Sequence, residues 1–148
     1  MTRDEILTVY KTHLAAERRH DHEAAAATYV DDGYYRLMAV DICFRGRAAV
    51  AAQYAMSYAM VPDIDFEIEG EVVEGQQLFH WGVARGTAMT GRPVALPFSA
   101  RFEFADGAMI GETLWYDLAT LADQTGMPID MLRSTANSLA AEQVVGAP

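Results

Sequence analysis

The stretch from Gly91 to Gly126, GRPVALPFSARFEFADGAMIGETLWYDLATLADQTG, constrains the fold more than any other part of the chain. It reads as two long strands joined at Ala105-Asp106-Gly107, since an Asp-Gly pair between two strand-like runs marks a tight hairpin turn. Asp117 then stands where a strand gives way to a short helix, with its carboxylate placed to cap the free amides of the first turn. Long hairpin-linked strands twist and curl. They need helices to cover the face they turn inward.

The rest of the sequence supplies both. Thr2-Arg3-Asp4-Glu5 is a capping box, and Ile6, Tyr10 and Leu14 follow at four-residue spacing, which predicts an amphipathic helix. After the polar break Glu17-Arg18-Arg19-His20-Asp21, Asp21 caps a second helix with Ala25 and Tyr29 on its buried side. Asp31-Asp32-Gly33 ends that helix, and Tyr34 to Ala39 is a strand. Gly46 opens a third helix carrying Val50, Tyr54, Tyr58 and Val61 on one face, and Pro62 stops it. Strands are expected at Asp65–Val73, Gln77–Met89, Pro93–Phe104 and Met109–Tyr116. Pro128 to Gln143 forms a last amphipathic helix, with Ile129, Leu132, Ala136 and Leu139 along one side. The expected architecture is α+β: a bent antiparallel sheet whose open side is closed by helices around an apolar pocket. Residues 1–127 make one domain, and 128–148 are a helical extension packed on it.

The chain's 148 residues carry 51% hydrophobic and 22% charged side chains and a net charge of -10. That charge disfavours phosphate backbones and anionic lipid, so neither nucleic acid nor membrane is an expected partner. Cys43 is the only cysteine, which rules out an intrachain disulfide and reads as a small apolar filler in a reducing compartment. The acidic N-terminus does not resemble a signal peptide, so a cytoplasmic protein is expected. No phosphate-binding glycine loop, nucleophile elbow or cysteine–histidine metal spacing is present, so neither cofactor nor metal is implied.

Several pieces, in order, resemble the SnoaL-like polyketide cyclases of the nuclear transport factor 2-like superfamily. They are Tyr29-Val30-Asp31-Asp32, Arg45-Gly46-Arg47-Ala48-Ala49-Val50, Thr90-Gly91-Arg92, Phe104-Ala105-Asp106-Gly107, Trp115-Tyr116-Asp117-Leu118 and Gln124-Thr125-Gly126. The likeness extends to limonene-type epoxide hydrolases and ketosteroid isomerases, and it implies a cone-shaped fold that often pairs through its sheet. Tyr34, Arg36, Arg101 and Glu103 would then make a homodimer face. The family's chemistry does not carry over. Its acid, three residues before the position of Asp117, is Leu114 here. The epoxide hydrolases' Arg-x-Asp pair matches Trp81 and Val83, and the isomerase's base and proton donor match Leu37 and Ala100. Only the isomerase's first-helix tyrosine has a counterpart, Tyr10.

Strand alternation sorts what remains. With Leu114 inward, Ile110, Glu112 and Tyr116 are inward too, as are Phe98, Ala100 and Phe102 on the neighbouring strand. Trp81, Val83 and Arg85 are placed inward on the middle strand, with His80 outward, and Tyr35 and Leu37 are inward on the first. Glu112 is therefore the one carboxylate expected inside, either a proton-transfer group or half of a structural ion pair. Arg85 is either an oxyanion stabiliser or a salt bridge at a strand end. Tyr10, Tyr35, Trp81, Phe98, Leu114 and Tyr116 are the expected substrate wall. Asp41 is a reserve acid at the rim, His13 faces the cavity mouth or, by default, lies on the surface, and His20-Asp21-His22 is a solvated turn. These features point to a cofactor-independent cyclase, isomerase or dehydratase acting on a bulky apolar polyketide- or terpenoid-like molecule. The alternatives are a non-catalytic small-molecule-binding or dimerisation module, and epoxide opening with a rearranged set of acids.

Overall fold

A computed structural model describes residues 1–145. Its elements run α1 (Arg3–Arg18), α2 (His22–Ala27), β1 (Tyr29–Leu37), β2 (Ile42–Arg45), α3 (Arg47–Met60), β3 (Asp65–Glu74), β4 (Gln77–Thr87), β5 (Pro93–Ala105), β6 (Ala108–Tyr116), α4 (Leu118–Thr125) and α5 (Ile129–Val145). The strands form one curved, unclosed sheet in the order β2-β1-β6-β5-β4-β3. The α+β expectation holds, with one addition. β1 runs parallel to β6, while every other neighbouring pair is antiparallel.

The local signals act as physical chemistry predicts. Thr2 and Glu5 exchange both bonds of the capping box, and the Asp21 and Asp117 carboxylates accept from the amides of Ala24 and Thr120. Asp106 (φ 49) and Gly107 (φ 84) take the left-handed conformations that a two-residue hairpin requires. Bends come from register shifts at Ile68/Gly70 and Glu103/Phe104, where an extra residue kinks the strand.

Two boundaries differ from the pattern-based expectation. α2 is only six residues long, and Tyr29 begins β1 instead of closing the helix. Ala25 and Tyr29 are four apart, which mimics a helical stripe, but the backbone carbonyl of Tyr29 is taken by the Arg47 side chain. β2 was not anticipated. It pairs Ile42–Arg45 with Leu37–Tyr34, and its Cys43 points outward, exposed, so it is not a core filler.

The inner face of the sheet carries Phe98, Ala100, Phe102 and Phe104 from β5, facing Tyr10 and Leu14 of α1 and Val50, Tyr54 and Tyr58 of α3. The terminal helix α5 buries Leu132 and Ala136 and contacts α3, α4 and β2, so it packs within the same subunit. Residues 146–148 of the proposed extension lie outside the described residues.

Candidate functional site

Glu112 sits mid-strand on β6, in register with Tyr35 of β1 and Phe102 of β5, and is only 3% exposed. Its Oε2 accepts hydrogen bonds from the hydroxyls of Tyr29 at 2.8 Å and Tyr54 at 2.7 Å, and those hydroxyls lie 2.9 Å apart. The Tyr54 hydroxyl also lies 3.1 Å from Nε2 of His13. That nitrogen is 3.6 Å from Glu17 Oε2 and 3.7 Å from Glu112 Oε2. α1 sets this up by periodicity, because Tyr10, His13, Leu14 and Glu17 fall three, one and three apart and share the buried face.

The other edge of His13 fixes its hydrogen. Nδ1 lies 2.9 Å from Thr28 Oγ1 and 3.3 Å from the carbonyl of Ala25, while the Thr28 hydroxyl itself donates to that carbonyl. Both neighbours therefore accept, and Nδ1–H is the donor. Nε2 is left to the carboxylates.

Burial pulls His13 towards the neutral form. The charge of Glu17, the hydrogen bond and charge of Glu112, and the Ala25 carbonyl outweigh it and raise its pKa overall. Burial pushes Glu17 up to about 8, with His13 pulling down and Glu112 pushing further up. Glu17 and His13 titrate together, each favouring the charged form of the other against burial. Burial, then the charge of Glu112, holds the phenols of Tyr29, Tyr35 and Tyr54 well above their usual range, so they act only as neutral hydrogen-bonding groups. The cluster is a buried set of His13, Glu17 and Glu112, held together by the hydroxyls of Tyr29 and Tyr54.

Glu17, Tyr54 and Glu112 of this cluster line a largely apolar cavity of about 120 Å³, to which α5 contributes Leu132 and Ala136. The volume lies below the roughly 300–1,000 Å³ typical of drug-sized sites, which suits a compact occupant. Glu112, Tyr35, Phe98, Leu114 and Tyr116 line it. Two residues of the lining on α3 carry buried polar atoms with no partner among the described residues, Gln53 Oε1 and the Tyr58 hydroxyl. Swapping the two ends of the Gln53 amide would not help, since only Ser57 is in reach.

Several sequence expectations need correction. On β4 the alternation is reversed. His80 is inside, and Trp81, 41% exposed, is outside. Both faces of Leu78-Phe79-His80-Trp81 are hydrophobic, so a period-two pattern carries no phase there. Pairing decides it, because Leu78 and His80 stand opposite the inward Phe102 and Ala100. Arg85 is consequently on the outer face, where it pairs with Glu67 at 2.7 Å, both exposed, and it cannot reach the cavity. Ile110 falls within the β6 register shift and turns outward, while Met109 and Glu112 stay in. Tyr10 is buried behind the cavity wall, against His80. His13 is fully buried, not a surface residue. Asp41 is exposed in a left-handed turn and pairs with Arg36 at 2.8 Å, away from the cavity. His20 is half-buried, stacks on Tyr58 and bonds the Ile64 carbonyl.

Sequence reasoning missed His13, Glu17, Tyr29 and Tyr54 as partners of Glu112. The i, i+4 spacing of His13 and Glu17 in phase with Tyr10 was the available signal for two of them. His13, Glu17 and Glu112 also bring their donor atoms within 4.8 Å of one another, the grouping among the described residues suited to a divalent cation. The fit is poor. Glu112 Oε2 already accepts two hydroxyl hydrogens, and the raised His13 pKa keeps a proton on the nitrogen that a metal would need bare.

The sequence profile of the SnoaL-like domain family matches residues 10–111. No curated protein matches the chain. Among solved structures, a protein with a ketosteroid isomerase-like fold from Catenulispora acidiphila DSM 44928, in complex with trimethylamine, superposes with a TM-score of 0.74 at 20% identity, over 82% of this chain and 95% of its own. A structure named for the SnoaL-like polyketide cyclases, from Jannaschia sp. CCS1, gives 0.76 at 15% identity, over 84% and 94%. TerC, co-crystallised with polyporic acid, gives 0.75 at 13% identity, over 82% and 98%. At such identities the likeness is one of fold.

Proposed function

The chain belongs to the SnoaL-like domain family, and from that premise we propose that it is a cofactor-independent cyclase or isomerase acting on a compact, largely apolar carbonyl compound of polyketide or terpenoid type. The single observation behind this reading is the Glu112 carboxylate, buried at the wall of an apolar cavity and paired with His13. A carboxylate so placed can take a proton from carbon next to a carbonyl, and His13 and Glu17 can share the charge that results.

The test is proton exchange. A panel of small cyclic ketones in D2O, followed by NMR, should exchange α-hydrogens in the presence of the protein, and Glu112→Gln should slow this by about 100-fold or more, the usual contribution of a positioned base. Equal exchange by the variant removes Glu112 from the mechanism.

A second reading is supported by Leu114, which lines the cavity at the position of the family's acid. A protein that only binds its ligand would show saturable uptake of ketones without exchange. Under either reading we propose a homodimer formed by the outer sheet face. Exposed Phe79 and Trp81 lie there beside Trp115, next to the Tyr34–Glu103–Arg101 cluster. Sedimentation at micromolar concentration should give a dimer, and a monomer contradicts the proposal.

A further inference from the structure

The expected inward residue of β4 was Trp81. The residue found there, His80, has a specific chemistry. Its Nδ1 lies 2.7 Å from the hydroxyl of Tyr10. Tyr10 is 2% exposed, and no other polar group among the described residues bonds that hydroxyl. Were Nδ1 to carry the imidazole hydrogen, it would donate to the Tyr10 oxygen and leave the Tyr10 hydrogen buried with no acceptor, a costly arrangement. The satisfied alternative has Tyr10 donating to a bare Nδ1, which puts the ring's hydrogen on Nε2.

Nε2–H has no protein acceptor among the described residues, yet it is not one of the sealed, unpartnered atoms. It therefore faces open space, and His80 lines the cavity. The ring is clamped edge-on by Phe102 at 4.8 Å, Phe98 at 5.3 Å and Tyr10 at 5.7 Å between centroids. In the sheet, His80, Ala100 and Leu114 stand in register. Two strand spacings, about 10 Å, separate His80 from Leu114, and Glu112 is the next inward residue along β6.

We propose that His80 is the hydrogen-bond donor to the substrate's carbonyl oxygen, with Tyr10 as the positioning residue that holds its Nε2–H tautomer. This deepens the reading of the cavity as a site of proton transfer and assigns it an oxyanion-stabilising group. When Glu112 takes the proton from the α-carbon, the C–H electron pair becomes the enolate double bond and the carbonyl π pair moves onto oxygen, where Nε2–H meets it. Return of the proton to a different carbon gives an isomer, and attack of the enolate carbon on an internal carbonyl gives a ring. Burial also lowers the His80 pKa to about 4, against the pull of Glu112, so the imidazole stays neutral. A neutral imidazole suits this task, since it strengthens its bond as the oxygen gains charge without protonating it.

Two readouts test this without the natural substrate. In ¹⁵N-labelled protein at pH 6.5, the His80 ring should show the Nε2–H tautomer, and Tyr10→Phe should convert it to a mixture. The Nδ1–H tautomer or an imidazolium overturns the proposal. Acetophenone should bind with its carbonyl stretch moved to lower frequency. His80→Phe should abolish that shift and weaken binding by about fivefold, the effect of one hydrogen bond. His80→Gln, which keeps a neutral donor, should restore part of the shift. No binding, or a shift indifferent to both variants, overturns it as well. Both readouts are taken on the parent protein without turnover, whereas α-hydrogen exchange reads the base, so failure of the base and failure of the donor are told apart.

Discussion

Replacing Glu17 with glutamine should stabilise the protein, and increasingly so as the pH rises. The unfolded chain ionises this carboxyl near 4.5, whereas burial holds it protonated in the fold up to about 8. Below 4.5 both states carry the proton and the residue costs nothing. Between 4.5 and 8 the native state binds more protons than the unfolded one, so stability falls with rising pH by up to about 1.4 kcal/mol per pH unit. The whole interval sets a ceiling of about 5 kcal/mol. His13 acts in the same direction. Its folded pKa is raised above 6.5, so the stability brought by its protonated form is complete below 6.5 and is lost as the pH climbs through the folded value. The charge of Glu17 is the largest influence raising it, so glutamine also removes that stabilisation and offsets part of the gain.

Glutamine keeps the shape and needs no proton. The difference between Glu17→Gln and the parent should be small at pH 5 and reach about 2–4 kcal/mol at pH 8.5, allowing for local relaxation. In urea that is a midpoint difference of about 1–2 M. Trp81 and Trp115 supply the fluorescence signal, and contributions from titrating groups other than His13 and Glu112, which face Glu17, cancel in the difference. Parallel stability–pH curves for the two proteins, or a variant less stable at pH 8.5, would refute the assignment of a protonated Glu17 in the fold.

Tyr54→Phe removes the hydroxyl that touches Tyr29, His13 and Glu112 together. It should cost about 1.5–3 kcal/mol in urea unfolding, the value of a hydrogen bond to a charged group, and a loss within about 0.5 kcal/mol, the scale of an ordinary surface change, would mean that Glu112 does not lean on it. Tyr58→Phe removes a buried hydroxyl without a partner. It should leave unfolding stability unchanged or slightly raised. A drop in stability of about 1 kcal/mol would instead reveal a protein partner for that oxygen.

Much of the scaffold was legible because its signals are local. The Thr2 capping box, the Asp21 and Asp117 caps, and the Asp106-Gly107 turn each depend on a few adjacent residues. So does the inward phase of β5, whose small and aromatic side chains alternate with polar ones. The site was less legible where its geometry is set by pairing between distant segments. On β4 both faces are apolar, so the choice between His80 and Trp81 lies in the register with β5. The partners of Glu112 come from α1, β1 and α3, and Tyr29 and Tyr54 look like ordinary apolar-stripe residues until their hydroxyls are seen to converge. Arg85 failed for the same reason as Trp81. A one-residue slip sends every side chain of a strand to the opposite face.

The position of the acid itself follows from this arrangement. By the family resemblance the acid would fall at Leu114, and Glu112 is two residues earlier on the same strand and the same face, about 7 Å away. A carboxylate at the outer position would sit against Leu37 and Ala100, its neighbours in the pairing, neither of which can hydrogen-bond through its side chain. At the inner position it meets Tyr29, Tyr54 and His13, which carry its charge where water does not reach. Burying a charge is tolerable only where such partners exist, so the acid and its partners had to move together. The same displacement leaves Leu114 and Leu37 as apolar lining of the cavity. Under the proposal that Glu112 is the base, a substrate's reacting carbon would have to reach past Leu114, which favours a narrow carbonyl compound over one whose bulk lies next to the reacting centre.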